Sequence, residues 1–279
     1  MKFARYWRDV EVDVDERLFG IPRVTVWGAS NNSTAEAKQH ARSRASRFKE
    51  LVSGGFDRLG EYEYWNGFIR EEVLEEVSAG DGSVLAVLTR NSYGATVLNT
   101  ETVLFGDIDV PEDGLLARLL VMFGKQKKDK DYYLAKIGDY QKNNPRYTFR
   151  VYETCAGLRF VITNEVFAAD SSLVRTLFAA LGVDPLYVNL CKHQTCFRAR
   201  LTPKPWRIGV DRPGSRFPRE SRRDKDEFES WLRAYHAAAA KVSVVKLLDT
   251  FGSDSTHPDI RRVLTVHDRH SSQGYAVLA

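Results

Sequence analysis

The chain has 279 residues, 43% of them hydrophobic, with a formal charge of +4. That length and apolar share support a sizeable core in one large domain or two small ones. No run of about 18 apolar residues is present to span a bilayer, and the opening "MKFARYWRDVEVDVDE" lacks the apolar stretch of a secretory leader, so a cytoplasmic protein with no membrane partner is expected.

In chain order, "RVTVWGAS" alternates as a strand does and runs into "NNSTAEAKQHARSRASRFKELVSGG". Ser33 followed by Glu36 has the form of a capping box, and Gly54 and Gly55 supply a stop, so a helix rich in Arg and Lys is expected over residues 34–52. "YEYWNG" reads as a short strand or turn and "REEVLEEVSAGDG" as a short acidic helix. "SVLAVLTRNSYGATVLNT" has the alternation and central turn residues of a β-hairpin.

From Glu101 the order of elements carries more information. "TVLFGDIDV" is a strand, residues 114–144 are helical in two pieces around Gly124, and "RYTFRVYET" and "GLRFVITN" are strands joined by a tight turn at Cys155 and Ala156. "SSLVRTLFAALG" is a helix stopped by Gly182, "DPLYVNLCKH" inserts a further short element, and "CFRARLT" is a last alternating strand. The fold class expected is α+β: a ferredoxin-like or RRM-like βαββαβ core over residues 101–207, with an α/β accessory region over 1–100 and a basic linker, helix and closing strand over 208–279. In that order of strands the first and third are central neighbours. The closing helix lies around "DEFESWLRAYHAAAAKVSVVKLL", interrupted near Val242 to Val245, and the closing strand is "RVLTVHD".

The strand "LFGDIDV" ends in paired acids. A strand has period two, so Asp107 and Asp109 share one face and Ile108 points to the other. Close like charges raise each other's pKa unless a cation compensates, and Mg²⁺ or Mn²⁺ with oxygen ligands is a natural compensator. The alternative is a strand emerging into solvent, with Val110 to Asp113 forming a turn and helix cap. Arg150, Tyr152 and Thr154 share one face of the next strand, the turn returns Arg159 beside them, and Arg198 and Arg200 share one face of "CFRAR", with Lys204 following. Carboxylates holding a metal beside guanidinium groups that grip phosphate oxygens suit a nucleoside triphosphate; the alternative is that the arginines merely solvate an open sheet face.

From Arg198 to Lys225 there are ten Arg and Lys against three acids, Asp211, Glu220 and Asp224. Such a local excess suits a polyanion, whose counterions it displaces, or else a solvated loop. Tyr147, Tyr152, Phe197 and Trp206 are candidates to stack bases, or to fill the core. The three cysteines are too few for a disulfide framework. Cys191, His193 and Cys196, with Cys155 as a fourth, have the ligand types of Zn²⁺, but C-x-H-x-x-C is not a standard spacing, and incidental thiols are the simpler reading. His267 and His270 beside Asp268 have the residue types of acid-base work or metal binding, but an exposed terminal turn is the simpler reading. No Walker, Rossmann, nucleophile-elbow or zincin motif occurs.

The "LFGDIDV" strand followed by the "YETCAGLRFVIT" hairpin resembles the catalytic core of the archaeo-eukaryotic primase superfamily, the primase-polymerases. That resemblance spans residues 101–207. It implies a nucleotidyltransferase in which Asp107 and Asp109 hold the divalent metal of an hDhD motif, and in which Arg159 stands where the family has a phosphate-contacting histidine. Asp268, or in competition with it Asp184, supplies the third acid. Arg159, Arg198, Arg200 and Lys204 would then bind phosphates of nucleotide or template. The substitution of Arg for His keeps phosphate binding but loses the titrating switch. It therefore leaves room for a non-catalytic nucleic-acid-binding protein on the same fold, or for a protein-interaction scaffold in which acids and arginines pair internally.

Overall fold

The computed structural model describes residues 1, 3–53, 68–110 and 127–279. The expected stop at Gly54 and Gly55, the "YEYWNG" element and the first piece of the 114–144 helix lie outside them. The chain forms two compact units, Lys2–Glu71, and Met1 together with Glu72–Ala279.

In the smaller unit, β1 (Tyr6–Asp13) and β2 (Arg23–Ser30) pair antiparallel, with α1 (Glu16–Phe19) in their connection. Helix α2 (Thr34–Ser53) covers them. Its start realises half of the expected box: the Ser33 hydroxyl accepts from the Glu36 N–H at 3.1 Å, while the Glu36 carboxylate accepts from the Ser30 hydroxyl. Ala37, Ala41, Ala45 and Phe48 form the buried face of α2. Gly28 lets β2 approach it, since a Cβ there would collide with the α2 backbone.

The larger unit is built on two four-stranded antiparallel sheets, in the orders β3-β4-β5-β9 and β10-β7-β8-β6. The first contains β3 (Glu72–Ser78), β4 (Val84–Arg90), β5 (Thr96–Thr100) and β9 (Phe197–Arg200). The second contains β6 (Phe105–Asp109), β7 (Phe149–Thr154), β8 (Gly157–Ile162) and β10 (Val245–Phe251). The helices are α3 (Lys130–Asn143), α4 (Ser172–Leu181), α5 (Pro185–Gln194), α6 (Arg222–Ala239) and α7 (Pro258–Ser271). One apolar core runs through both sheets and includes Leu98, Phe105, Phe149, Phe160, Phe178, Phe197 and Leu264. Each such side chain contributes about 1.5–3 kcal/mol on burial.

The hairpins β4–β5 and β7–β8 and helix α4 fall where the sequence places them. Gly182 caps α4 in the left-handed region, φ +82, and returns its N–H to the Phe178 carbonyl. Three expectations are corrected. The segment expected as an acidic helix is the edge strand β3, because pairing with β4 outweighs the local helix preference of its Glu and Leu residues. "RVLTVHD" lies within helix α7, not a strand: Ile260, Val263, Leu264, His267 and Ser271 are buried at helical spacing, and Pro258 opens the helix behind the His257 cap. The last alternating strand, β9, expected in one βαββαβ core with β6, β7 and β8, is laddered to β5 in the other sheet, so an accessory boundary near residue 100 falls inside a sheet. The interruption expected near Val242 becomes β10, at the far edge beside β7.

Candidate functional site

The chemistry-bearing side chains gather where β6, β8, β9 and the start of α5 meet. β6 and β8 are neighbours, and their register places Asp107 directly opposite Arg159. The Arg159 side chain is fully buried and grips the carboxylate in bidentate fashion, its Nε donating to Oδ1 at 2.7 Å and an Nη to Oδ2 at 3.1 Å. Its other Nη donates to the Arg200 carbonyl at 2.9 Å and meets His267 Nε2 at 3.3 Å. Four of the five guanidinium N–H groups are thereby used.

An arginine can only donate, so His267 Nε2 accepts and Nδ1 carries the proton, which it gives to Asp268 Oδ1 at 2.9 Å. The same Oδ1 accepts from the Tyr152 hydroxyl at 2.8 Å, and Arg150 pairs with Oδ2 at 3.2 Å. The result is a continuous chain, Asp107–Arg159–His267–Asp268, whose middle members are buried and whose end carboxylates are partly exposed, closed by Tyr152 and Arg150. Burial, with Arg159 beside it, holds His267 below its ordinary pKa against the pull of Asp268. Burial works against the Arg159 charge too, but Asp107 overcomes it and the guanidinium stays charged. For Asp268, burial favours the neutral acid, and the hydrogen bonds from His267 and Tyr152 outweigh it, so its pKa falls.

A second hydroxyl joins the sheets. Tyr187 of α5 lies 2.9 Å from the Phe105 carbonyl of β6 and 3.0 Å from the Arg198 carbonyl of β9, and accepts from the Arg198 N–H at 3.3 Å. Asp184, the N-cap of α5, accepts from the N–H groups of Leu186 and Tyr187, and its own N–H donates to the Asp107 carbonyl.

Asp109, two residues beyond Asp107, is exposed at the strand end. Partial burial raises its pKa first, then Asp184 and Asp107, while Lys204 and Arg207 oppose the rise. Arg200, Lys204 and Arg207 crowd one another: the Arg200 pKa is depressed by burial and by Arg159 and Arg207, and that of Lys204 by burial and by Arg200 and Arg207. Among the described residues neither Lys204 nor Arg207 has an ion-pair partner closer than 4 Å, and the Arg200 guanidinium donates to the Thr202 carbonyl at 3.3 Å. Beside them Trp206 is 45% exposed, with the Arg212 guanidinium 4.6 Å and the Lys204 ammonium 5.7 Å from its ring centre, and Tyr93 edge-on at 5.3 Å.

The structure thus brings Asp107, Asp109, Arg159, Arg200 and Lys204 into one region. Arg198 is buried and donates to Gln194 at the end of α5. Asp268 reaches the region from a helix, and its oxygens are taken by Tyr152, His267 and Arg150. Of the four aromatic candidates, Tyr147, Tyr152 and Phe197 are core residues, and Trp206 alone of them is exposed. His267 is wholly buried rather than part of a terminal turn. Cys191 and Cys196 are buried and Cys155 exposed, all as free thiols; burial pushes the Cys191 thiol up to about 12. Among the described residues no three His, Cys, Asp or Glu side chains are placed to hold one metal ion. Of the acids assigned to Mg²⁺ or Mn²⁺, Asp107 has both oxygens bonded by Arg159 and Asp268 accepts from Tyr152, His267 and Arg150, while Asp109 lies at the exposed strand end.

The roles of Arg207, Arg212 and Tyr93 were not legible in the motifs. Helical phasing of Ile260, Val263, Leu264 and His267 was the signal that could have placed His267 inside. No helix among the described residues is long and apolar enough to cross a membrane. No protein-family model, curated protein or solved structure matches this chain.

Proposed function

We propose that this chain is a nucleic-acid-binding protein on a primase-like scaffold, in which an internal guanidinium has taken the place that a catalytic metal holds in the family it resembles. The observation that carries this reading is the contrast at the end of β6: Asp107 is neutralised by Arg159, while Arg200, Lys204 and Arg207 crowd one another and, among the described residues, none of them is within 4 Å of a carboxylate. Partly buried cations crowded in this way are relieved by an anion, and the phosphates of nucleic acid supply several at once. What supports a primase-like scaffold is the order β6, α3, β7, β8 with β6 and β8 adjacent; β9, which that fold would add to the same sheet, pairs with β5 in the other one.

The test is anisotropy of a labelled oligonucleotide against salt, run beside primer extension with nucleoside triphosphates and Mn²⁺. Metal-independent binding with a steep salt slope and no extension is expected, and Lys204→Ala with Arg207→Ala should reduce the slope by about 2. Extension that Asp109→Ala abolishes would instead establish a metal-dependent nucleotidyltransferase. Neither binding nor extension would leave the internal ion network as a purely structural device.

A further inference from the structure

We infer that the exposed ring of Trp206 is a base-stacking platform, so that the ligand of this face is single-stranded nucleic acid with an unstacked base and not a duplex. The inference rests on the nucleic-acid reading above and names the form of the ligand. Trp206 lies in the 3-10 turn Pro205–Arg207, directly after β9 and two residues from Lys204. Trp206 is 45% exposed, which leaves much of a large apolar ring in water. What surrounds it is cationic: Arg212 over the ring at 4.6 Å and Lys204 at 5.7 Å, with Tyr93 bracing it edge-on.

Lys204 links the ring to the phosphate seat, because it also feels Arg200, Arg207 and Asp109. A ligand that satisfies both halves needs a flat π-face and a negative charge within one residue of each other, which describes a nucleotide unit. The Arg212 guanidinium is exposed, and at exposed sites such a cation–π contact is weaker than a stacked base, so a base can displace it or stack upon it. In a duplex the base faces are covered, and only the phosphates would remain available.

The experiment compares fluorescein-labelled oligothymidylate and oligouridylate of about a dozen nucleotides, a length within one binding footprint, with a blunt hairpin duplex carrying the same label. The full chain is used as wild type, Trp206→Ala, Trp206→Tyr and the Lys204→Ala/Arg207→Ala pair, each checked by thermal melting. Single strands should bind about tenfold more tightly than the hairpin, Trp206→Ala should lose about tenfold on single strands with an unchanged salt slope, and Trp206→Tyr should restore most of it. Equal affinity for hairpin and single strand, or no loss in Trp206→Ala, overturns the platform while leaving the phosphate face intact. Absence of binding to every probe overturns both.

Discussion

Asp107 and Asp109 stand two residues apart on one face of one strand, yet their surroundings answer the same charge in opposite ways. Around Asp107 the protein supplies the counter-charge itself: Arg159 is buried against it, and His267, Asp268, Tyr152 and Arg150 leave few polar atoms unmet. Around Asp109 the balance is left open, with Asp184 and Asp107 repelling it and Lys204 and Arg207 near it but unbonded. The first arrangement is self-sufficient and can only stabilise. The second has charge to offer, which is why binding is assigned to it and folding to the other.

The largest effect should come from breaking the closed network. Arg159→Leu would leave the Asp107 carboxylate and the His267 Nε2 acceptor without their donor; breaking a fully buried pair costs roughly 3–5 kcal/mol, and because Asp107 is partly exposed the loss here should fall below that, at about 2–3 kcal/mol. Urea denaturation should show that loss. Arg159→Lys should recover only a part, since an ammonium cannot make the bidentate contact. Stability unchanged in Arg159→Leu would show that the pair is not what holds this end of the sheets.

That Asp107 and Arg159 come from neighbouring strands was legible in the sequence, because the first and third strands of a βαββαβ order are adjacent; the register that sets them opposite each other was not. Helices α2 and α4 were legible through their caps. Less was visible where distant partners decide. Glu72–Ser78 became a strand because β4 offers it a ladder, which no local preference of Glu reveals. The same is true of β9, whose alternation suits either β5 or β6 equally well. His267 was hidden for another reason: a short apolar run, Val263 to Val266, fits a strand and a helix, and its phase shows only when Ile260 and Ser271 are included. The basic stretch from Arg198 to Lys225 was visible by composition, but which of its cations gather beside Trp206, and that Tyr93 joins them, was not, because Arg207, Arg212 and Tyr93 come from a turn and loops where periodicity says nothing.

Next in size are effects on binding alone. Lys204→Ala with Arg207→Ala should weaken oligonucleotide binding by more than tenfold at low salt, while stability stays within about 0.5 kcal/mol of wild type, as for other surface changes. A comparable loss of stability would merge the two regions into one structural network. His267 tests the closed side by pH. Its folded pKa lies below the unfolded value of about 6.5, so its contribution is present above that pH and lost as pH falls, when the unfolded chain binds a proton that the folded one resists. Burial sets that shift, with Arg159 adding to it and Asp268 and Asp107 opposing it; Tyr152 packs against the ring. Between about pH 7 and about pH 5, wild type should lose about 1 kcal/mol more than His267→Gln. Parallel profiles would mean that His267 titrates normally.

The smallest effect on stability, with the most informative sign, belongs to Asp109→Asn. Partial burial and the neighbouring Asp184 and Asp107 raise the folded pKa of Asp109 above its ordinary value, so the neutral form is favoured on folding and the charged form is a burden once pH rises through that pKa. Asparagine removes the burden, and because the side chain is exposed the gain at neutral pH should be only about 0.2–0.5 kcal/mol after solvent screening. It should vanish at pH low enough to protonate the aspartate. The same change removes one negative charge from the face that holds Lys204 and Arg207, so oligonucleotide affinity should rise by about twofold to threefold at low salt and less at high salt. A site that works through a divalent cation bound by Asp109 would respond in the opposite direction, with Mn²⁺-dependent binding or extension lost. The sign of this one substitution therefore separates a face that attracts phosphate directly from one that needs a metal between.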